Sequence, residues 1–332
     1  MKKTVLVTGG AGFIGANLTH ELLQRYDVDV HIVNEPGSSL WRLTSVLDRL
    51  TIHEISLTNT VAIKSLVSSV KPQEIYHLAA YGGSPNQLDQ QLIFDVNFTG
   101  TINLLNACKK VGFEVFINTG SSSEYGKRDC VMSESIALEP ISDYAVAKAA
   151  ATHFCLKEAL FNNLPIYTIR PFSVYGNYEM PSRLIPTVLV NALIDTPLNL
   201  ASPTNVRDYI YIKDMTSLYH TVALQRPGNA FVFNGGTGIQ SSTADVISTT
   251  EYIIKRKLEI NWGSAASRPW EPTSWRADIS LAESVLNWKP QYNLKQGLQA
   301  SLNWFASNLP LYTQTQGADH APTASQQQST SI

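Results

Sequence analysis

The sequence has few of the features that mark several large classes of protein. Its 332 residues include only three cysteines, Cys108, Cys130 and Cys155, an odd number at scattered positions without disulfide-framework or metal-ligand spacing. No apolar run approaches the roughly 20 residues of a membrane span, and glycines interrupt the start MKKTVLVTGG too early for a signal peptide. A formal net charge of −2 gives no basic field for nucleic acid. We therefore expect a cytoplasmic protein without a metal, nucleic-acid or membrane partner.

What the sequence does contain is an alternation of short β-type runs with helical patterns through its first half. The strands are predicted at Thr4–Val7, Val28–Val33, Leu50–Ile55, Ile75–Leu78, Val115–Asn118 and Ile166–Arg170. Helices are predicted at the segment spaced by Ile14, Leu18 and Leu22, and at Val61–Val70, Phe94–Lys109 and Tyr144–Phe161. This alternation predicts an α/β fold with a Rossmann-type doubly wound parallel sheet.

The regular alternation ends after Arg170, where prolines and turn residues become frequent, although helical stretches remain near 182–194 and 243–257. We expect a dinucleotide-binding domain over residues 1–170 and a smaller, partly interleaved C-terminal substrate-binding lobe over residues 171–310. Residues 313–332 are mostly Gln, Ser, Thr, Ala and Pro, which bury too little apolar surface to offset ordering. They are predicted to form a disordered polar tail.

The glycines between the first strand and the first helix have the spacing of a phosphate-binding loop. In Gly9-Gly10-Ala11-Gly12-Phe13-Ile14-Gly15, the first glycine of the triad permits a tight turn, the second admits a pyrophosphate and the third allows close helix packing. The helix N-terminus would hold the anion through its N–H groups and dipole. A βα turn without a ligand is the alternative, which this strand-to-helix context disfavours. The predicted cofactor contacts here are Gly9, Gly12, Phe13, Ile14 and Gly15.

The end of the second strand gives an ambiguous signal for the adenosine ribose. An acid at this point would bind the ribose hydroxyls and repel a 2′-phosphate, but the neutral Asn34 does neither strongly. Glu35 could serve NAD instead, whereas Ser38, Ser39 and Arg42 could meet a 2′-phosphate. We expect Asn34, Glu35 and Arg42 to contact a cofactor that is NADP or NAD, with a slight preference for NADP.

Tyr144 and Lys148 are the strongest candidates for acid–base chemistry. They lie four residues apart on a predicted helix, hence on one face, and a nearby positive charge favours the phenolate of a tyrosine. Ser121 ends the fifth strand, at the edge where open α/β sheets bind ligands. A surface tyrosine and lysine is the alternative, but the glycine loop and a plausible N-cap at Ser142 favour a catalytic set of Ser121, Tyr144 and Lys148. Tyr125 has no lysine at helical spacing and is more suited to packing.

Taken in this order, the glycine triad, the strand-end serine and Tyr-x-x-x-Lys resemble the extended short-chain dehydrogenase/reductase superfamily, in particular its nucleotide-sugar branch. The resemblance covers roughly residues 3–306 and implies a nucleotide-diphosphate sugar as substrate and a homodimer built on helices near 88–110 and 142–161. The further cofactor contacts that we expect are Leu57, Ala79, Ala80, Asn97, Pro171 and the catalytic Tyr144 and Lys148, of which the lysine can bond the nicotinamide ribose. The implied substrate contacts are Ser122, Ser123, Ser173, Arg183, Leu184, Arg207 and Arg268, of which Arg207 and Arg268 match diphosphate-binding arginines.

At two places this chain differs from the residues that are typical of particular activities in this branch. Sugar 4,6-dehydratases carry an Asp-Glu pair where this chain has Ser122 and Ser123, which cannot supply that acid–base work. UDP-galactose 4-epimerases usually have an acid where Asn34 stands and Tyr-Phe-Asn where this chain has Pro-Phe-Ser from Pro171. The resemblance therefore favours a 4-ketoreductase, similar to CDP-abequose synthase, that reduces C4 of an NDP-4-keto-6-deoxyhexose with Tyr144 as acid–base. A UDP-glucose-type 4-epimerase with bound NAD is the alternative, and a non-catalytic cofactor-binding scaffold is a distant third.

Overall fold

A computed structural model describes residues 2–84, 86–265 and 272–313 of the chain. Its strands are β1 Lys3–Thr8, β2 Val28–Asn34, β3 Leu50–Glu54, β4 Glu74–His77, β5 Val115–Thr119, β6 Ile166–Pro171, β7 Ser173–Tyr175, β8 Leu198–Leu200, β9 Val206–Tyr211, β10 Val232–Gly235, β11 Gln240–Ser242 and β12 Ile260–Trp262. Its α-helices are α1 Phe13–Arg25, α2 Thr60–Val70, α3 Gln90–Phe94, α4 Gly100–Val111, α5 Asp143–Asn162, α6 Leu184–Ile194, α7 Ile212–Gln225, α8 Thr243–Ile254, α9 Ser280–Leu286, α10 Leu294–Ser307 and α11 Pro310–Thr313. Short 3₁₀ helices lie at Trp41–Arg49 and Ser122–Tyr125, and a π-helical turn lies at Asp95–Thr99.

The central sheet has seven parallel strands in the order β3-β2-β1-β4-β5-β6-β10. The chain begins in the middle of this sheet and winds outward in both directions, so Val5 lies beside Val30 on one side and Glu74 on the other. The reversal between β1 and β4 opens a crevice at the carboxyl ends of these strands, where ligands bind in such sheets. The predicted α/β fold with a Rossmann-type doubly wound parallel sheet is confirmed.

Helices cover both faces of the sheet, which explains why strands such as β1 and β5 contain consecutive apolar residues. Every residue of β5 and β6 is buried. Neighbouring residues serve opposite faces: Val5 packs in the core that contains Leu18 of α1 and Leu218 of α7, while Leu6 packs in the core that contains Leu104 of α4. Burial on both faces thus fixes the strands and the helices that flank the crevice.

The second half of the chain adds a small sheet in the order β11-β9-β7, the strand pair β12-β8, and the mutually packed helices α6, α8 and α10. It also returns to the first half, because β10 extends the central sheet and α7 packs against α1. These returns agree with an interleaved lobe, although the boundary at 170 stays a prediction. No helix in the described ranges is long and apolar enough to cross a membrane.

The structure divides one predicted helix in the first half of the chain and adds elements that were not predicted in the second half. The helix expected over Phe94–Lys109 is divided into α3, the π-helical turn and α4, and the sequence analysis did not predict α7 or α10. Arg268 lies outside the described residues. So does the predicted polar tail, apart from Thr313, which ends α11.

Candidate active site

The glycine loop forms an open cradle at the N-terminus of α1. Gly9 has φ +68°, and a Cβ at this position would lie 2.6 Å from the backbone nitrogen of Ala79. A Cβ on Gly15 would overlap the carbonyl oxygen of Gly9. Gly12 is the N-cap of α1, with no side-chain cap and no acid in the first turn, so the first N–H groups remain available to an anion. The cradle therefore fits the pyrophosphate of a dinucleotide.

The residues after β2 use their polar groups differently from what the sequence analysis expected. The buried Asn34 amide donates to the carbonyl oxygens of Glu35 and Ser38, at 3.3 and 3.1 Å, which closes the turn after the strand. Glu35 is exposed at the start of this turn. The Arg42 guanidinium donates to two backbone carbonyl oxygens, Tyr178 O at 2.8 Å and Ala11 O at 3.4 Å. Arg42 thus binds carbonyl oxygens beside the phosphate loop, and its expected contact with the cofactor stays a prediction.

Four further predicted cofactor residues lie at strand ends of the central sheet or a few residues beyond them. Ala79 follows β4 and donates its N–H to Thr8 Oγ1 at 3.3 Å, while the neighbouring Ala80 is exposed. Pro171 ends β6 and is buried. Leu57 is buried beyond β3. These positions follow the crevice from the β3 side to β6, as a bound dinucleotide would require.

Asn97, another predicted cofactor residue, organises the loop after β4. Its amide donates to the carbonyl oxygens of Tyr81 and Ile93, at 2.6 and 2.8 Å, and accepts the Tyr81 N–H at 3.3 Å. It lies within the π-helical turn, a feature often found at functional sites. Asn97 is 1% exposed, and its amide is engaged by this backbone. Its geometry is that of a residue that fixes the loop beside the cofactor crevice.

Tyr144 and Lys148 lie on one face of α5, as their spacing predicts. The helix starts at Ser142, whose side chain accepts the Ala145 N–H at 3.2 Å and confirms the expected N-cap. Burial raises the pKa of the Tyr144 phenol to about 12, while the nearby Ser121 hydroxyl lowers it. The strand-end serine thus lies near the tyrosine, and its expected bond to the reacting oxygen of a substrate stays a prediction.

Lys148 is one of the most deeply buried charged residues, with 2% of its surface exposed. Burial lowers the pKa of its ammonium to about 8, and the charge of Glu124 partly opposes this effect. In the part of the chain that the structure describes, its ammonium makes no hydrogen bond or ion pair. The charge that lowers the pKa of Tyr144 is that of Arg183. The predicted effect of Lys148 on this phenol stays a prediction.

The serine row turns from β5 into the 3₁₀ helix Ser122–Tyr125. Ser121 is the N-cap: its hydroxyl accepts the Ser123 N–H at 3.1 Å and hydrogen-bonds the Ser123 hydroxyl at 2.7 Å. Ser122 is buried and Ser123 is partly exposed. Neither side chain titrates near neutral pH, so the two positions after Ser121 supply no acid or base.

A buried network behind the serine row was missed by the sequence analysis. Glu124 accepts the Ser121 N–H and the Thr152 hydroxyl, and it forms an ion pair with Arg170 at 2.8 Å. Arg170 also donates to the Tyr125 hydroxyl at 3.0 Å, which identifies Tyr125 as a buried structural residue. The signal was available in the sequence as an acid directly after three serines. Its partner lies 46 residues away, so only the fold brings the pair together.

The predicted substrate residues occupy two regions. Arg183, the N-cap of α6, donates to Gly83 O at 2.8 Å, and a Cβ on Gly83 would lie 3.9 Å from the Tyr144 ring. The structure thus brings Arg183 to the tyrosine, with Leu184 next to it at the start of the helix. Ser173 begins β7, and Arg207 lies on the adjacent strand β9, where its guanidinium covers the Trp275 ring at 5.8 Å. Ser121, Tyr144, Lys148 and Arg183 therefore form the centre of the candidate site.

A Rossmann sheet with an open phosphate cradle and a Ser-Tyr-Lys set at its carboxyl edge defines a dinucleotide-dependent enzyme of the extended short-chain dehydrogenase/reductase type. Residues 5–234 match the NAD dependent epimerase/dehydratase family. The chain belongs to this family. In the described residues, no cluster of three or more His, Cys, Asp or Glu side chains forms a metal site.

Named relatives match nearly the whole chain. A UDP-glucuronate 4-epimerase from Thermodesulfobacterium geofontis is 28% identical, with 92% of this chain and 97% of the relative covered. An uncharacterized UDP-glucose epimerase, YtcB, from Bacillus subtilis is 30% identical, covering 91% and 98%. The crystal structure of UDP-glucuronic acid 4-epimerase from Bacillus cereus, in complex with UDP-glucuronic acid and NAD, superposes with a TM-score of 0.80 at 30% identity, covering 92% and 99%. These comparisons favour the 4-epimerase alternative over the 4-ketoreductase that the sequence analysis preferred.

Proposed function

We propose that this protein is an NAD-dependent 4-epimerase of a nucleotide-diphosphate hexose. The observation that carries the proposal is the Ser121 hydroxyl near the Tyr144 phenol, with Lys148 on the same helix face and serines at both positions after Ser121. This set can move a proton at one sugar oxygen and offers no acid–base pair for expelling water at C5 and C6. The similarity to named 4-epimerases supports the same reading.

In the proposed reaction, Tyr144 takes the proton from the C4 hydroxyl and later returns it to the same oxygen after the sugar has turned. Ser121 hydrogen-bonds that oxygen and stabilises the charge that develops on it. When bound, NAD supplies the hydride acceptor at C4 and the hydride that re-forms the C4–H bond on the other face. Gly9, Gly12 and Gly15 would hold its pyrophosphate. Arg183, beside the tyrosine, would hold the nucleotide portion of the substrate and so position the sugar.

Three features of the turn after β2 support NAD as the resident cofactor. The carboxylate of Glu35 would disfavour a 2′-phosphate, and Asn34 uses its amide to close the turn. Arg42, the expected phosphate contact, donates to backbone carbonyl oxygens instead. Two of the solved relatives are complexes with NAD, and the preference for NADP is not confirmed.

The substrate inferred for this chain is a UDP-hexose or UDP-hexuronate, because the named relatives act on UDP sugars. Arg183 and Arg207 would hold the nucleotide portion of this substrate. We also propose a homodimer formed by the helices over 90–111 and 143–162. Exposed apolar side chains there support this assembly: Leu92 on α3, and Val146 and Phe161 on α5.

The deciding experiment supplies UDP-glucose and UDP-glucuronate separately, without added cofactor, and follows the C4 configuration of the product by proton NMR. Appearance of the 4-epimer without net change in nicotinamide absorbance is the expected result. Absence of epimerisation, together with stoichiometric NADH or NADPH consumption on an NDP-4-keto-6-deoxyhexose, would establish the ketoreductase instead. Binding of cofactor without turnover on either panel would favour a scaffold.

A further inference from the structure

The loop between β7 and α6 carries Arg183 to the site, and three consecutive carbonyl oxygens of this loop each accept a hydrogen bond from a distant side chain. The bonds are Asn17 Nδ2 to Asn177 O, Arg42 Nε to Tyr178 O and Tyr312 Oη to Glu179 O, each 2.8 Å long. The donors come from α1, the 3₁₀ helix Trp41–Arg49 and the C-terminal helix α11. We call these three donors the carbonyl clamp.

Two members of the carbonyl clamp also bind the phosphate loop. Asn17 Nδ2 donates to Phe13 O at 2.9 Å, and Arg42 Nη1 donates to Ala11 O at 3.4 Å. Each side chain therefore bridges the cofactor cradle and the loop that leads to Arg183. A displacement of either segment would stretch hydrogen bonds that hold the other.

The clamped loop has an unfavourable local conformation that its surroundings impose. Tyr178 has φ +65°, a left-handed value that is disfavoured for a non-glycine residue. Its ring stacks on His20, with a centroid distance of 5.3 Å and an interplanar angle of 7°, and meets the edge of Trp304 at 4.7 Å. Trp304 in turn contacts Tyr312, so the aromatic packing also joins this loop to the C-terminal helices. These ring contacts and the hydrogen bonds of the carbonyl clamp hold Tyr178 in this disfavoured backbone conformation.

We propose that Asn17, Arg42 and Tyr312 are positioning residues that couple the cofactor cradle to the substrate loop, so that the C-terminal helix contributes to retention of NAD. Tyr312 is distant in sequence from the candidate catalytic residues and takes no part in the proposed chemistry. It acts through Glu179 O on the backbone that carries Arg183. The coupling to substrate affinity rests on the proposed function, but retention of the cofactor does not, because cofactor release can be measured without any sugar.

The first test compares Tyr312→Phe with the wild type by stopped-flow fluorescence of prebound NADH chased with excess NAD. Loss of one buried hydrogen bond predicts release about three- to tenfold faster. In the epimerase assay with saturating NAD, KM for the UDP sugar should rise by a similar factor, while kcat stays within about twofold. Tyr76→Phe is the matched control, because it removes a buried phenol bond to Glu74, 3.1 Å long, within the central sheet.

A second test asks whether the clamp acts as a unit. If Asn17→Ala and Tyr312→Phe release the same loop, the double variant should release NADH little faster than the faster single variant. Equal release rates in Tyr312→Phe, Tyr76→Phe and the wild type would overturn the proposal. So would two effects that multiply in the double variant, since that result would show independent sites. Failure of epimerisation with altered NADH release would refute only the proposed function.

Discussion

Lys148→Met should stabilise the cofactor-free protein at neutral pH while removing its activity. Methionine follows the lysine side chain as far as Cε but places no charge in a site that is 2% exposed. Burial lowers the pKa of this ammonium from 10.5 to about 8, which corresponds to about 3 kcal/mol of lost stability at about 1.4 kcal/mol per pKa unit. The variant should therefore gain up to about 3 kcal/mol in its free energy of unfolding at pH 7.

The pH dependence identifies the cause of that gain. Between pH 8 and 10.5 the unfolded wild type holds a proton at Lys148 that the folded protein has released, so the wild type becomes more stable as pH rises. The advantage of Lys148→Met should shrink across this window, as measured by urea unfolding of cofactor-free protein at pH 7 and pH 9.5. A variant that is less stable than the wild type at pH 7, or whose advantage does not change with pH, would refute this reasoning.

Three further substitutions test the site. Tyr144→Phe should reduce turnover by at least about a hundredfold in the NMR assay and leave NADH binding intact, and near-wild-type turnover would exclude the proposed mechanism. Glu124→Gln should lower the free energy of unfolding by about 2 kcal/mol or more, because it leaves the buried Arg170 without its ion partner, and an unchanged urea midpoint would contradict that role. Gly9→Ala should abolish cofactor binding in an NADH fluorescence titration. Gly112→Ala is the control, because Gly112 also has a positive φ but has open space around it, and this variant should still bind NADH. Equal effects of the two substitutions would show that backbone strain alone is responsible.

The central sheet could be predicted because its local signals agree with its tertiary environment. Strand β5 begins with the apolar run Val115–Ile117 and is buried along its whole length, and β2 ends at Asn34, one residue beyond its prediction. The second half gave weaker signals. Strand β10 is a four-residue run from Val232 to Gly235, and its place beside β6 depends on long-range pairing that no local pattern encodes.

Site residues could be predicted where their positions depend on the spacing along a single helix or strand. Tyr144 and Lys148 share a helix face because they are four residues apart, and Ser121 follows directly from the end of its strand. Arg42 shows the limit of such reasoning. Its sequence position suggested an anion, but folding places the carbonyl oxygen of Tyr178, 136 residues away, at 2.8 Å from its Nε. Contacts of that sequence separation require the tertiary structure.

The π-helical turn Asp95–Thr99 makes the length of the α3–α4 segment a constraint on the site. A π turn is equivalent to one extra residue inserted in a helix, and each residue rotates an α-helix by about 100°. Deleting a single residue from this turn would relax it to a regular helix, but Asn97 would then face away from the Tyr81 backbone that it holds. Shortening this helix by one residue should therefore cost the loop beside the cofactor its anchor, even though the helix itself would become more regular.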